Sequence, residues 1–282
     1  MHEAAYEILG VGVRLRSVSR ASIELIDHSF GVFRVDGSRG ELLIELAEGA
    51  SGTLTVSRPG RPTRRARTMP DATLHLMDEL VHAVISGLHQ RGLFAVHAAA
   101  VAHRGRALVL AGSSGAGKTT LAVALAAVGL EMLSDELAIL DPVTGLVHPY
   151  RRRLHIRPGT PELVRGMEGI ALREPRDLGG ENAWAIGQEE AGATADGPRR
   201  IGAALLLAPR SEHNIQPRFT AIGSGEATLE LMRGTWAASI DFPGALRAVG
   251  SCVAAIPCAR LEAADPMATA DAIVAWLERS DG

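Results

Sequence analysis

Gly112-Ser113-Ser114-Gly115-Ala116-Gly117-Lys118-Thr119 satisfies the pattern G-x-x-x-x-G-K-[ST] in full. Each residue type has a use around phosphate. Glycines let the backbone close on phosphate oxygens with no Cβ in the way. Successive N–H groups then converge as an anion nest at the positive end of the following helix. Lys118 supplies a mobile cation for the β and γ phosphates, and the Thr119 hydroxyl is placed to hold Mg²⁺. Thr120 completes the stretch expected to touch the nucleotide. The expected ligands are ATP and Mg²⁺.

Asp135 and Glu136 follow Lys118 by 17 and 18 residues, after one helix pattern and one short strand pattern. That spacing puts two carboxylates at a strand end beside the loop. There one carboxylate can hold Mg²⁺ and the other can take a proton from an attacking hydroxyl. His97 lies in an apolar strand pattern 21 residues before Lys118. Taken by itself it reads more readily as a satisfied core histidine than as a catalyst.

Further candidates are weaker. Arg151-Arg152-Arg153, with His148 and His155 nearby, suits either the neutralisation of a transferring phosphoryl group or a solvated strand edge. Arg157 is an equal candidate. His103 and Arg104 sit in an exposed turn pattern. Trp184 and Trp236 could stack on adenine, but packing is the commoner fate of Trp. Cys252 and Cys258, the chain's two cysteines, are too few for a disulfide framework and read as buried thiols.

The elements that must position these residues follow from periodicity. Residues 1–67 read as β-rich, with short strand patterns at 11–15, 22–26, 31–35, 41–46 and 51–56 separated by turn signals near 36–40. A small antiparallel sheet is expected. Residues 58–67, rich in Pro, Gly and Arg, read as an exposed loop. Leu74, Met77, Val81, Val84, Ile85 and Leu88 then recur at helical spacing, and Gly92 is placed to stop the helix.

From there strand and helix patterns alternate. Strands are expected at 93–102, 107–111, 130–133 and 137–140, with a helix at 119–127. A turn at 141–145 precedes another strand pair, and residues 166–200 read as loop-rich, with Gly179-Gly180 among them. A buried strand at 201–208, helices at 227–231 and 245–255, a late strand at 257–261 and a closing helix at 268–277 complete the pattern. The expected organisation is a β-rich region over 1–90 ending in the amphipathic helix, followed by one α/β domain over 91–282.

Composition sets the outer limits. The chain has 282 residues, 46% of them hydrophobic, which allows a sizeable core. The formal net charge of -3 offers no overall field for nucleic acid or an anionic membrane. The first twenty residues lack a signal-peptide pattern, and no apolar run reaches the length of a membrane span. A cytoplasmic protein with no nucleic-acid or membrane partner is expected.

The span from His97 to Leu140 resembles the catalytic domain of the HPr kinase/phosphorylase family. The resemblance rests on a histidine on the strand before the loop, the complete loop, and an acidic pair after Gly129. The family usually has Asp-Asp where this chain has Asp135-Glu136. Leu154-His155-Ile156-Arg157-Pro158-Gly159 is a displaced echo of its later signature, and residues 1–90 do not resemble the regulatory domain of the full-length enzymes.

What the resemblance implies is a phosphate-loop kinase core of the HPr kinase and phosphoenolpyruvate carboxykinase type, with a mixed sheet and flanking helices. It implies metal binding and general base duty for Asp135 and Glu136, and for His97 a part in organising them. It further implies an ATP-dependent serine kinase that modifies a peptide or small protein, such as a ribosomally made peptide precursor, and a homo-oligomer. A small-molecule kinase, or a nucleotide-sensing regulatory protein without phosphoryl transfer, is the alternative that the loop alone leaves open.

Overall fold

In the computed structural model the described residues are 1–36, 42–49, 52–171, 174, 176–177, 182–209, 215–235 and 239–280. The expected turn at 37–40, Gly179-Gly180 and Trp236 lie outside them. The protein is mixed α/β, with mixed sheets, flanking helices and a small β-rich N-terminal part.

The N-terminal sheet runs in sequence order: β1 (His2–Ile8), β2 (Val11–Ser17), β3 (Leu42–Glu48), β4 (Leu54–Ser57) and β5 (Arg64–Ala66). The sheet is not wholly antiparallel as expected, because β2 and β3 pair in parallel. Parallel neighbours need a crossover, and α1 (Arg20–Phe30) supplies it. The strand expected at 22–26 is therefore a correction. Ser19 caps the helix by accepting from the Ser22 N–H, and Ile23, Ile26 and Phe30 bury one face at helical spacing. The strand expected at 31–35 is instead a 3-10 turn, Gly31–Phe33.

The helix after it, α2 (Met69–Gln90), closes this layer, capped by Thr68 with Pro70 in the first turn. Leu76, Leu80, Val84 and Leu88 are buried against the sheet. Gly87 lies where the helix crosses β2, and a Cβ there would meet Val11 Cγ1 at 2.6 Å. The Pro/Gly/Arg stretch is only partly an exposed loop. Arg58 is buried in an ion pair with Glu79 of α2 at 2.9 Å, and residues 64–66 form β5.

The second sheet is built on β6 (Phe94–His103) and β7 (Arg106–Ala111), joined by a tight hairpin in which Arg104 and Gly105 both take positive φ. β7 pairs in parallel with β14 (Arg199–Leu207), and β14 with β16 (Cys258–Glu262); β15 (Arg218–Ala221) forms the antiparallel edge. On the other side of β6 lie β8 (Glu131–Ser134) and β9 (Leu137–Asp141). β10 (Leu146–His148) pairs with β9 and with the start of β14.

α3 (Lys118–Ala127) and α8 (Pro266–Ser280) pack on one face, α6 (Ser224–Arg233) and α7 (Phe242–Val253) on the other. The strand pair expected after residue 145 divides between sheets, because β11 (Leu154–Ile156) joins β13 (Asn182–Ile186) and β12 (Arg176–Asp177) in a small separate sheet. The loop-rich stretch thus holds β12, β13 and two short helices, α4 (Glu168–Ala171) and α5 (Gln188–Ala191). Cys252 and Cys258 are buried, and neither is in a disulfide. Among the described residues no helix is long and apolar enough to cross a membrane.

Gly87→Ala tests the helix–sheet crossing. Alanine gains about 1 kcal/mol of helix propensity, but Val11 is 3% exposed and has nowhere to move. Overpacking of about 1–3 kcal/mol is expected to win, lowering the urea midpoint. A variant as stable as the parent would show that the crossing is looser than its geometry.

Candidate functional site

The loop follows from where β7 ends. Between β6 and β14 the strand is buried, and the chain leaves it at Gly112, where a Cβ would lie 3.1 Å from both Cβ and the carbonyl oxygen of Leu207. The loop closes with the Ala116 N–H donating to the Ser113 carbonyl at 3.2 Å. Gly115 and Gly117 then adopt φ values of +80° and +89°, which strongly favours glycine. Gly117 is also the residue before α3 and contributes no capping side chain, so the orphan N–H groups of the first turn remain for another acceptor.

Lys118 is 7% exposed and folds back over the loop, its Nζ donating to the carbonyls of Gly112 at 2.9 Å and Ser113 at 3.1 Å. Burial lowers its pKa, against the pull of Glu136 and Asp135.

The acidic pair sits in a break between β8 and β9. Both strands pair with β6, Ser134 opposite Ala100 and Leu137 opposite His97, so the intervening two residues span the gap without a change of register. Ser134 makes the break: its buried Oγ accepts from the N–H groups of Glu136 (3.2 Å) and Leu137 (3.0 Å). A side chain thus replaces ladder partners. The sequence reading missed Ser134, although Ser directly before an acidic pair is the turn signal that could have found it.

Asp135 is 4% exposed and faces the end of the loop, where the Thr119 side chain beside it favours the charged form. Its Oδ1 has no hydrogen-bond partner. Burial raises the carboxyl pKa to about 6, with Glu136 adding to the effect and Arg152 opposing it.

Of the three clustered arginines, Arg152 belongs to the site: Nη2 lies 2.8 Å from Glu136 Oε2 and 4.0 Å from Asp135 Oδ2. Arg151 instead donates to the Ala195 carbonyl, and Arg153 is exposed. His148 is on β10, away from the cleft. Gln188 holds the arginine segment by donating to the carbonyls of Tyr150 at 3.0 Å and Arg152 at 3.2 Å. Tyr150 is buried, its N–H bonded to the Leu133 carbonyl at 2.9 Å and its ring stacked on Phe33 with centroids 5.4 Å apart.

His97 stands opposite Leu137, its N–H donating to the Gly234 carbonyl at 2.7 Å. The ring lies beside Glu136 in the same cleft, and Nδ1 has no hydrogen-bond partner. Burial and the Lys118 charge lower its pKa, which favours the neutral ring. The histidine therefore touches the acidic break rather than merely filling core.

The far wall is Arg157-Pro158-Gly159-Thr160, a turn closed by the Thr160 N–H donating to the Arg157 carbonyl at 3.1 Å, with Gly159 at φ +92°. Its Thr160 Oγ1 lies 3.0 Å from Thr120 Oγ1. Together these residues enclose a cleft of about 460 Å³. Of the loop residues, Ser114, Gly115, Gly117, Lys118, Thr119 and Thr120 line it, while Gly112, Ser113 and Ala116 do not. Trp184 lies on β13 in the core at 8% exposure, so packing is its role, and the turn residue Arg104 pairs with Glu278.

This arrangement can hold an anion against the loop amides and Lys118, with a hard cation beside it. The residues fit such a cation: Thr119 and Asp135 line the same cleft, and Asp135 Oδ1 is a buried acceptor with no hydrogen-bond partner. Among the described residues no group of three or more His, Cys, Asp or Glu could hold a metal without help. A cation here would need oxygens from its ligand or from water, as Mg²⁺ bound to phosphates does. No protein-family model matches the chain, and no curated protein matches it.

His155, on β11, gives the site a pH signature. Its Nε2 is 2.7 Å from Ser29 Oγ, and burial beside Arg152 and Arg157 lowers its pKa from 6.5 to about 3. The unfolded chain therefore takes up this proton first as pH falls. The stability contributed by neutral His155 is whole above pH 6.5 and is lost progressively toward pH 3. His155→Gln keeps a hydrogen-bonding side chain without the titration. Its melting temperature is expected to fall less than the parent's between pH 7 and about pH 4.5. Parallel curves would sink the assignment.

Proposed function

We propose that the protein is an ATP-dependent kinase that transfers the γ-phosphoryl group of ATP to a serine hydroxyl of a peptide or small protein, such as a ribosomally made peptide precursor. The fold proposed is the phosphate-loop kinase core of the HPr kinase and phosphoenolpyruvate carboxykinase type over 91–282, with 1–90 as an appended region. The reading places the protein in the cytoplasm, where ATP and Mg²⁺ are available. The observation that carries it is the cleft that Thr119 and Asp135 share: a complete phosphate loop faces a buried carboxylate with an unsatisfied oxygen.

The residues divide the chemistry. The loop amides and Lys118 bind the β and γ phosphates; Lys118 exchanges its bonds to the Gly112 and Ser113 carbonyls for phosphate oxygens. Thr119 and Asp135 would hold Mg²⁺, which supplies charge neutralisation at the bridging and γ oxygens when bound. Glu136 orients the serine hydroxyl and takes its proton. Arg152 fixes Glu136 at 2.8 Å and lends positive charge to the reacting end of the cleft. Neutral His97 stands beside Glu136 on the wall of the same cleft. The hydroxyl oxygen bonds to γ-phosphorus as the β–γ bridging bond breaks, giving a phosphoserine and ADP, with the proton on Glu136. Positioning and electrostatics do most of the work.

Labelled ATP with peptides encoded by neighbouring genes tests the reading, with mass spectrometry showing the gain of one phosphate. Lys118→Ala is expected to abolish transfer. Asp135→Asn is expected to raise the Mg²⁺ concentration needed for half-maximal rate, and Glu136→Gln to lower kcat about 10²–10⁴-fold while nucleotide still binds. ADP release that ignores added peptide would turn the reading toward a nucleotide sensor. No thermal shift with Mg·ATP or Mg·GTP would end it.

A further inference from the structure

A second cavity, of about 410 Å³, opens on the other half of the loop. It touches Gly112, Ser113 and Ser114, and shares only Ser114 and His97 with the first cleft. In-line displacement needs the acceptor to approach γ-phosphorus from the side opposite ADP. The first cleft contains Lys118, Thr119 and the acidic pair, so the triphosphate belongs there, and the second cavity meets it at Ser114 and His97, the latter beside Glu136. The kinase reading above is the premise of this step.

The walls of the second cavity say what enters it. Val96, Leu206, Leu207 and Leu231 make the slot apolar. Glu230, the acid of its lining, is engaged by Arg233 at 2.8 Å and lies 3.9 Å from Arg260. Arg233 is the last residue of α6 and is 77% exposed, and it also lines a third cavity of about 590 Å³ between α2 and α6. That third cavity has Arg58, Arg61 and His82 in its walls and no Asp or Glu. The geometry thus runs from the loop through an apolar slot to a mouth where Arg61 is exposed, with Arg233, held by Glu230, at the junction.

We propose that this path is the acceptor groove, and that it takes an extended peptide whose serine lies next to an apolar residue and is flanked by acidic residues. The acidic flank meets Arg233 and Arg61. The N-terminal region, through the turn Arg58-Pro59-Gly60-Arg61, thereby becomes part of substrate selection. That turn is closed by the Arg61 N–H donating to the Arg58 carbonyl at 3.1 Å, and burial of Arg58 against Glu79 anchors it.

Two labelled synthetic peptides serve as probes, each with one Leu-Ser pair, followed by four Glu in one and four Lys in the other. Phosphate incorporation and fluorescence anisotropy are measured for the parent, Arg61→Glu, Arg233→Glu and the exposed control Arg279→Glu, with circular dichroism confirming folding. The acidic peptide is expected to have a KM about tenfold below that of the basic one. Arg61→Glu and Arg233→Glu are each expected to remove most of that preference, and Arg279→Glu none of it.

Equal use of both peptides, or a preference untouched by both variants, overturns the groove while leaving the kinase reading standing. Failure of the parent to bind Mg·ATP overturns the kinase reading and takes the groove with it.

Discussion

A carboxylate buried beside the phosphate-type loop sets the terms for the rest of this protein. Asp135 is 4% exposed, and burial lifts its pKa from 3.8 to about 6. That displacement corresponds to about 3 kcal/mol against ionisation, well above the usual worth of a surface ion pair. Such a charge persists only where neighbours answer it. Arg152 answers with a guanidinium at 4.0 Å, and the Thr119 side chain favours the charged form from the loop side. Each answer then needs its own support. Thr119 is fixed by the loop and the start of α3, and Arg152 by a segment tied down through Gln188 and Tyr150.

This chain of support reaches the N-terminal sheet. Phe33 stacks on Tyr150, the Ser29 carbonyl accepts from the Arg153 N–H at 3.0 Å, and Ser29 Oγ meets His155. The end of α1 and the turn after it therefore hold the segment that carries Arg152. A core that mixes Leu76 and Leu80 of α2 with Leu137, Ile139 and Tyr150 makes the same connection through apolar packing. The first ninety residues are thus continuous with the wall of the site. Displacing α1 would loosen Arg152 before it touched the loop.

What could be read from sequence follows the distance over which each feature is determined. The loop was legible because eight consecutive residues specify it, and the strand before it and helix after it are strongly apolar. The strand–helix alternation from residue 93 onward was legible for the same local reason. The pairing of β2 with β3 was not, since nothing local distinguishes parallel from antiparallel neighbours. The helix α1 was misread because five residues, 22–26, alternate as a strand would; the cap Ser19 and the later Phe30 decide for a helix only in a longer window. Arg152 could not be separated from Arg151 and Arg153 by type, because the choice depends on Gln188, 36 residues away. Ser134 was overlooked because a small polar residue in an apolar strand invites no chemistry of its own.

Ser134 also shows why this site is more than a loop with acids nearby. An unbroken strand from 131 to 141 would satisfy more backbone groups within the ladder. The protein instead spends ladder hydrogen bonds to turn two carboxylates toward Lys118 and Thr119, and leaves Asp135 Oδ1 and His97 Nδ1 without partners. Unsatisfied buried groups of this kind each cost about 1–3 kcal/mol. Other buried atoms without partners, such as His75 Nδ1 and His89 Nδ1, lie away from the cleft, so what marks Asp135 and His97 is that both line the cleft that Lys118 also lines. Lys118 fits the same logic from the other side. Its bonds to two loop carbonyls hold the ammonium where a phosphate oxygen can replace them, so little need move when a charged ligand arrives.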